Sequence, residues 1–240
     1  MEIEVIGVVH SCFHEKFGIP RQPGLVRSAT GQIELFAPFD RSEMVRGLEY
    51  FSHIWLLFLF HRAIEEGWRP TTLRPLLGGQ KLVGVFGCRT PHRPNFIGMS
   101  ALRLESIVLN KGACHLEVSG VDLLDGTPVI DIKPYISYSD SLPLAEGGFP
   151  VEALEPIPVQ FSWKAERFCR EYYHDSGRDL AQLITEVLQQ DPRPANQRNK
   201  KREFGMLLWD VNIRYSIQQN CIRVNLCQII DQKDGSVKDQ

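Results

Sequence analysis

The chain has 240 residues, 43% hydrophobic and 23% charged, with a formal net charge of −2. That length supports one large core or two modest ones. The near-neutral balance excludes a purely electrostatic polyanion binder, which would be basic. No apolar run reaches the roughly 18 residues that a membrane span needs. The acidic start, Met1-Glu2-Ile3-Glu4, lacks the layout of a secretion signal, so the expected compartment is the cytoplasm.

In chain order, residues 3–10 read as a first strand. Residues 14–27 read as a loop broken by Gly18, Pro20, Pro23 and Gly24. Gln32 to Phe36 alternates as a strand, and Ser42 is expected to cap a short helix over 43–48. Residues 52–60 read as a buried strand, and 65–79 as an irregular loop. Strands are then expected at 82–86, 100–107, 113–121 and 129–132. Such short strands with turn chemistry between them predict a barrel or sandwich, not a doubly wound parallel sheet. From Pro143 to Pro158 the chain reads as a linker. Beyond it, 163–173 reads as a helix, and Leu180, Leu183, Ile184, Val187 and Leu188 form one stripe of a second helix. Trp209, Val211, Ile213 and Tyr215, then Ile222, Val224 and Leu226, predict a hairpin about a Gln-Gln-Asn turn. The tail 231–240 is polar and expected to fray. The fold class is therefore mainly β: a small barrel or sandwich domain over 1–148, then a small α+β domain over 149–240.

The six cysteines, at 12, 88, 114, 169, 221 and 227, form no C-x-x-C pair and match no zinc spacing. The scattered His10, His14, His53 and His61 give no metal-ligand pattern, so no metal is expected. The glycines fit neither a dinucleotide fingerprint nor a P-loop, and there is no G-x-S-x-G. The densest chemistry lies in 84–100, where Arg89, His92 and Arg93 sit among Pro91, Pro94 and Asn95. A stiff cationic loop after a strand suits a phosphate, a carboxylate or a base edge, although a solvated surface loop has the same composition. A second dense segment holds Asp122, Asp125-Gly126, Lys133 and Tyr135. Asp125-Gly126 is a turn signal, and Lys133 to Tyr135 also reads as an edge strand blunted by Pro134. Arg193, Arg198, Lys200, Lys201 and Arg202 form a basic run that is either solvated or a contact for a phosphate backbone.

Four stretches taken together resemble the TsaA-like family. They are Lys16 to Gly24; Arg46-Gly47-Leu48-Glu49 with Phe51-Ser52-His53; His92 to Asn95 with Ile97 to Ser100; and Asp122 with Leu124 to Pro128 and Asp131 to Tyr135. Asp191 to Ala195, and Leu208 with Asp210-Val211-Asn212, resemble the C-terminal extension of its tRNA-modifying members. The resemblance implies a β-barrel, S-adenosylmethionine-dependent, homodimeric tRNA adenosine-N6 methyltransferase that acts on threonylcarbamoyladenosine 37. It also implies donor contacts from Arg21, Gln22, Pro23, His61, Arg62, Arg89, Val121, Asp122, Leu123 and Leu124. Arg93, Asn95, Lys133 and Tyr135 match family motif positions without an individual role and are expected on the substrate or tRNA side. The chain departs at Phe96, where the family loop usually has a second proline, which is expected to loosen the loop, and at Cys88, where a small residue is common.

Methyl transfer to nitrogen mainly requires alignment of donor and acceptor. A carbamoyl group makes the remaining N6–H more acidic, so a base or a cation suffices to raise the nucleophile. His61 and Asp122 are the candidate bases, and Arg89 or Arg93 is expected to orient the modified base. Removing 150–240 is expected to abolish tRNA affinity and to spare donor binding. The rival readings are a regulatory module that binds S-adenosylmethionine or another nucleotide, and a thiol hydrolase using Cys88.

Overall fold

The computed structural model describes residues 2–73, 82–110, 113–147, 157–193, 203–218 and 221–230. Six strands close the N-terminal unit into a barrel: β1 (Gly7–Ser11), β2 (Thr30–Leu35), β3 (His53–Leu59), β6 (Ile97–Asn110), β7 (Ala113–Ser119) and β8 (Thr127–Pro134). Their order is β1-β2-β7-β6-β3-β8, and every pairing is antiparallel. Closure gives each strand two neighbours. β1 pairs with β8 only over Thr127–Val129, so Lys133 and Pro134 are laddered to β3 alone, in keeping with the edge expected there. Alternation fills the interior: Val9, Ile33, Ile54, Leu56, Leu102, Leu116 and Val129 are fully buried.

The remaining N-terminal elements are short. Helix α1 (Ser42–Val45) begins at Ser42 itself; Arg41 occupies the cap position and no side chain caps it. Gly47 follows at φ 89, a left-handed conformation that glycine takes without cost. Inside the expected irregular loop, β4 (Thr71–Leu73) pairs with β5 (Leu82–Gly84). Helix α2 (Ser137–Asp140) follows β8 and is tied to the barrel wall by Trp55 Nε1, which donates to Asp140 Oδ2 at 2.8 Å.

The C-terminal unit is a four-stranded sheet with two helices. Strand β9 (Val159–Phe161) runs parallel to β12 (Cys221–Ile229), and β10 (Glu203–Leu208) and β11 (Val211–Gln218) complete the order β10-β11-β12-β9. The expected hairpin is therefore the middle of a larger sheet, and Trp209 belongs to the turn before β11, at φ 51. The ladder shifts between Arg214 and Tyr215, so Tyr215 faces Val224 while Arg214 faces Leu226. This bulge at Asn225 moves the inward position from Leu226 to Cys227, which is buried. Helix α3 (Trp163–Ser176) is capped by Ser162, whose side chain accepts from Ala165 N, and ends on Gly177 at φ 71. Helix α4 (Leu180–Gln189) is capped by Asp179 and buries all five leucine, isoleucine and valine positions of the predicted stripe.

The second core also draws on the N-terminal part of the chain. Cys12, Phe13, Val26 and Ala29, from the segment between β1 and β2, are fully buried with α4 and the C-terminal sheet. Residues 198 and 200–202 of the basic run and the tail 231–240 lie outside the described residues. Arg193 departs from the solvated contact expected of it. It is buried, paired with Asp191 at 2.8 Å, and lies 5.9 Å from the Phe204 ring. Among the described residues, no helix is long and apolar enough to cross a membrane.

Candidate active site

A cleft of about 370 Å³ opens where the end of β3 meets the start of β6. Its apolar wall is made by Phe58 and Phe60, edge to face with ring centroids 5.1 Å apart. Gly98 lets these rings approach: a Cβ there would lie 2.3 Å from Phe58 and 2.9 Å from Phe60. On the same strand Ser100 points inward and donates to Asp122 Oδ1 at 2.7 Å. Val121 and Leu123 are buried in the barrel core, so the alternation of the extended chain turns Asp122 to the cleft. Burial pushes the Asp122 carboxyl up to about 6, against the opposing pulls of Ser100, its own backbone and Arg89.

The rim is cationic. Arg21, Gln22 and Pro23 border the cleft from the segment between β1 and β2, and Arg89 and Arg93 from the segment after β5. Arg89 Nη1 donates to Gln22 Oε1 at 2.5 Å, which joins the two segments. Arg93 Nη1 donates to the Cys88 carbonyl at 3.3 Å. His92 turns away, with Nδ1 3.3 Å from the Gly67 carbonyl and Nε2 3.5 Å from Glu66. Beyond Arg93, Asn95 and Phe96 take φ 64 and 53. Asparagine tolerates this region; phenylalanine does so at a cost of about 1–2 kcal/mol. Proline cannot adopt it. The departure at Phe96 therefore re-routes the loop rather than loosening it, and the Phe96 carbonyl accepts from Phe60 N at 2.8 Å.

The cleft thus gathers Arg21, Gln22, Pro23, Arg89, Arg93 and Asp122. Other predicted residues lie outside its lining. His61 and Arg62 begin the turn after β3, where burial, then Arg62, lowers the His61 pKa. Leu124 lends its carbonyl to Thr127 Oγ1 at 2.6 Å. Asn95 is exposed. Lys133 sits on the outer barrel wall, paired with Asp131 at 2.7 Å, and Tyr135 lies against Trp55 with centroids 5.4 Å apart. Phe58, Phe60, Gly98 and Ser100 also line the cleft, beyond the residues expected there. Gly98 and Ser100 belong to a motif that carries the family resemblance; the two phenylalanines carry only the apolar pattern of a buried strand.

This geometry has relatives. The model of the tRNA-methyltransferase O N-terminal domain matches residues 8–141, and that of the TrmO C-terminal domain matches residues 154–230. The chain belongs to the tRNA-methyltransferase O family. It is 43% identical over 219 residues to a tRNA (adenine(37)-N6)-methyltransferase of Escherichia coli, covering 90% of this chain and 93% of the relative. It is 44% identical over 234 residues to a putative S-adenosylmethionine-dependent methyltransferase of Pseudomonas aeruginosa, covering 97% and 98%. A crystal structure of TrmO from Pseudomonas aeruginosa superposes with a TM-score of 0.80 at 40% identity, covering 95% of this chain and 98% of that one. The expected mainly β class, with a barrel and an α+β part, holds across the tRNA-methyltransferase O fold.

Proposed function

We propose that the cleft between Arg89 and Asp122 is the methyl-transfer site of an S-adenosylmethionine-dependent tRNA (adenine-37-N6)-methyltransferase whose acceptor is threonylcarbamoyladenosine. Family membership supports the reaction class. The observation that carries the site is a half-buried carboxylate at the floor of a cleft rimmed by three arginines. This donor set fits S-adenosylmethionine: an ionised Asp122 favours a nearby sulfonium, the arginines suit a carboxylate, and the Phe58–Phe60 wall suits an adenine. Bound there, it supplies the electrophilic methyl group.

The chain's own residues do the rest. Asp122, ionised above about pH 6, takes the acidified N6 proton of the acceptor. Ser100 fixes the carboxylate from below. Arg93 forks onto the threonyl carboxylate, and Arg89 with Arg21 to Pro23 holds the donor. Asp122 lies in the lining, which supports it over His61 as the proton acceptor. The deciding experiment supplies labelled donor with tRNA that carries or lacks the threonylcarbamoyl group. Label enters only the modified pool; equal labelling overturns the acceptor, and no labelling overturns the enzyme in favour of a regulatory binding module.

The acting form is a homodimer in the cytoplasm, where tRNA is found. Strand β3 is apolar on both faces. On the outer barrel wall Leu57 lies beside Met99, and Leu59 beside Ile97, each incompletely covered. A soluble barrel does not leave such a band bare. Ile97 and Met99 also border the cleft, so a second copy on this band places the donor near the interface.

A further inference from the structure

The donor loop is held from the far side by the C-terminal unit. The segment between β1 and β2 leaves the barrel at Cys12, whose carbonyl accepts from Trp209 N at 2.8 Å. Glu15 Oε1 then accepts from Leu207 N at 2.9 Å. Phe17 and Ile19 pack against the C-terminal core, and at Gly18 an added Cβ would sit 3.8 Å from both Met206 and Val187. Arg21, Gln22 and Pro23 follow at the cleft. On the return, Val26 and Ala29 are buried in the same core, and between them Ser28 meets α4. Glu186 Oε2 accepts from both the Ser28 backbone N and its Oγ, each at 2.9 Å. Its other oxygen accepts from Gln182 Nε2 at 2.7 Å. On the barrel side the segment is tied where Gly24 N donates to the Gly120 carbonyl at 2.9 Å, two residues before Asp122. A loop crossing between two bodies takes its position from both.

Resting on the reading that Arg21 to Pro23 contact the donor, we infer that Glu186 is a positioning residue of the donor site: α4 clasps the loop through Ser28 and so sets the affinity for S-adenosylmethionine. A half-buried carboxylate that accepts two bonds from one residue fixes both its backbone and its side chain. Burial opposes the charge on Glu186, yet the bonds from Ser28 and Gln182 outweigh it and keep the carboxyl below its ordinary range. Without the clasp the loop keeps its apolar anchors but loses its register, and the donor must order it on binding. The C-terminal unit is then part of the donor site and not solely an arm for RNA.

The test uses the full chain. Glu186→Ala is expected to weaken S-adenosylmethionine binding in calorimetry about tenfold, the size of one charge-assisted bond. The KM for the donor rises by a similar factor, while kcat and the KM for tRNA stay near wild type. Glu186→Gln, which retains an acceptor oxygen, restores most of the affinity. Thr185→Ala, on the same helix and bonded within it to the Ala181 carbonyl, is the control for a general loosening of α4. Wild-type donor affinity in Glu186→Ala overturns the inference, as does a rise confined to the KM for tRNA or an equal defect in Thr185→Ala. Should Glu186→Ala fail to fold, Ser28→Ala removes one of the two bonds and must still weaken donor binding. Arg21→Ala separates the two readings: if it binds donor normally, the assignment of the loop fails, and if it alone is defective, only the clasp fails.

Discussion

Asp122 accepts from Ser100 in the cleft, and burial outweighs that bond. Its folded pKa is raised, so its contribution to stability is fully present below the ordinary carboxylate pKa and is lost as pH rises through about 6. The change from 3.8 to about 6 corresponds to about 3 kcal/mol at most. Asp122→Asn removes the charge, so its thermal midpoint at pH 8 is expected above that of the unaltered protein, the two converging near pH 4. Turnover should fall by about 10²-fold or more, and the rise of rate with pH near 6 should vanish. An unchanged pH profile in this variant rules out Asp122 as the proton acceptor. Gly98 is a residue of the opposite kind, needed for its missing atom. Gly98→Ala drives a methyl into the Phe58 and Phe60 rings; denaturant titration is expected to show a loss of about 1–3 kcal/mol, with weaker donor binding. Asp122 was legible in the sequence because a motif surrounded it. Phe58 was not, because periodicity cannot tell an aromatic in the core from one that lines a cleft at its end.

Elements were most legible where one period ran unbroken. The α4 stripe was legible because it is local, and so is the Asp179 cap, which accepts from Gln182 N three residues on, at 2.9 Å. Asp179→Ala is expected to cost about 1 kcal/mol by thermal denaturation, and to weaken donor binding slightly, since α4 carries Glu186. Elements defined by a distant partner were missed. Strand β9 has three residues and exists because β12 runs beside it. Strand β10 alternates Phe204, Met206 and Leu208, but Gly205 interrupts it and its partner lies beyond a turn. The bulge at Asn225 inverted the facing of Leu226, because it depends on the register between two strands.

At the scale of the molecule, the segment from Cys12 to Ala29 makes the two units one system. Removing 150–240 would expose Phe13, Val26 and Ala29 and release Ser28, so donor binding should be lost together with tRNA affinity; calorimetry on the truncated barrel checks this. It replaces the expectation that donor binding survives. The homodimer is tested by Leu57→Glu, which puts a charge on the outer wall and should yield monomers in sedimentation with little change in barrel stability. A dimer that persists places the interface elsewhere. The sequence by itself determined the barrel class, the helix stripe, the family and the cationic loop, because alternation, capping and contiguous motifs are encoded in neighbouring residues. Only the tertiary structure decided that Asp122 meets Ser100, that Arg193 serves the core, and that the segment carrying Arg21 to Pro23 is gripped by α4. Each of those depends on residues far apart in the chain, whose meeting is set by barrel closure and by which apolar faces find cover.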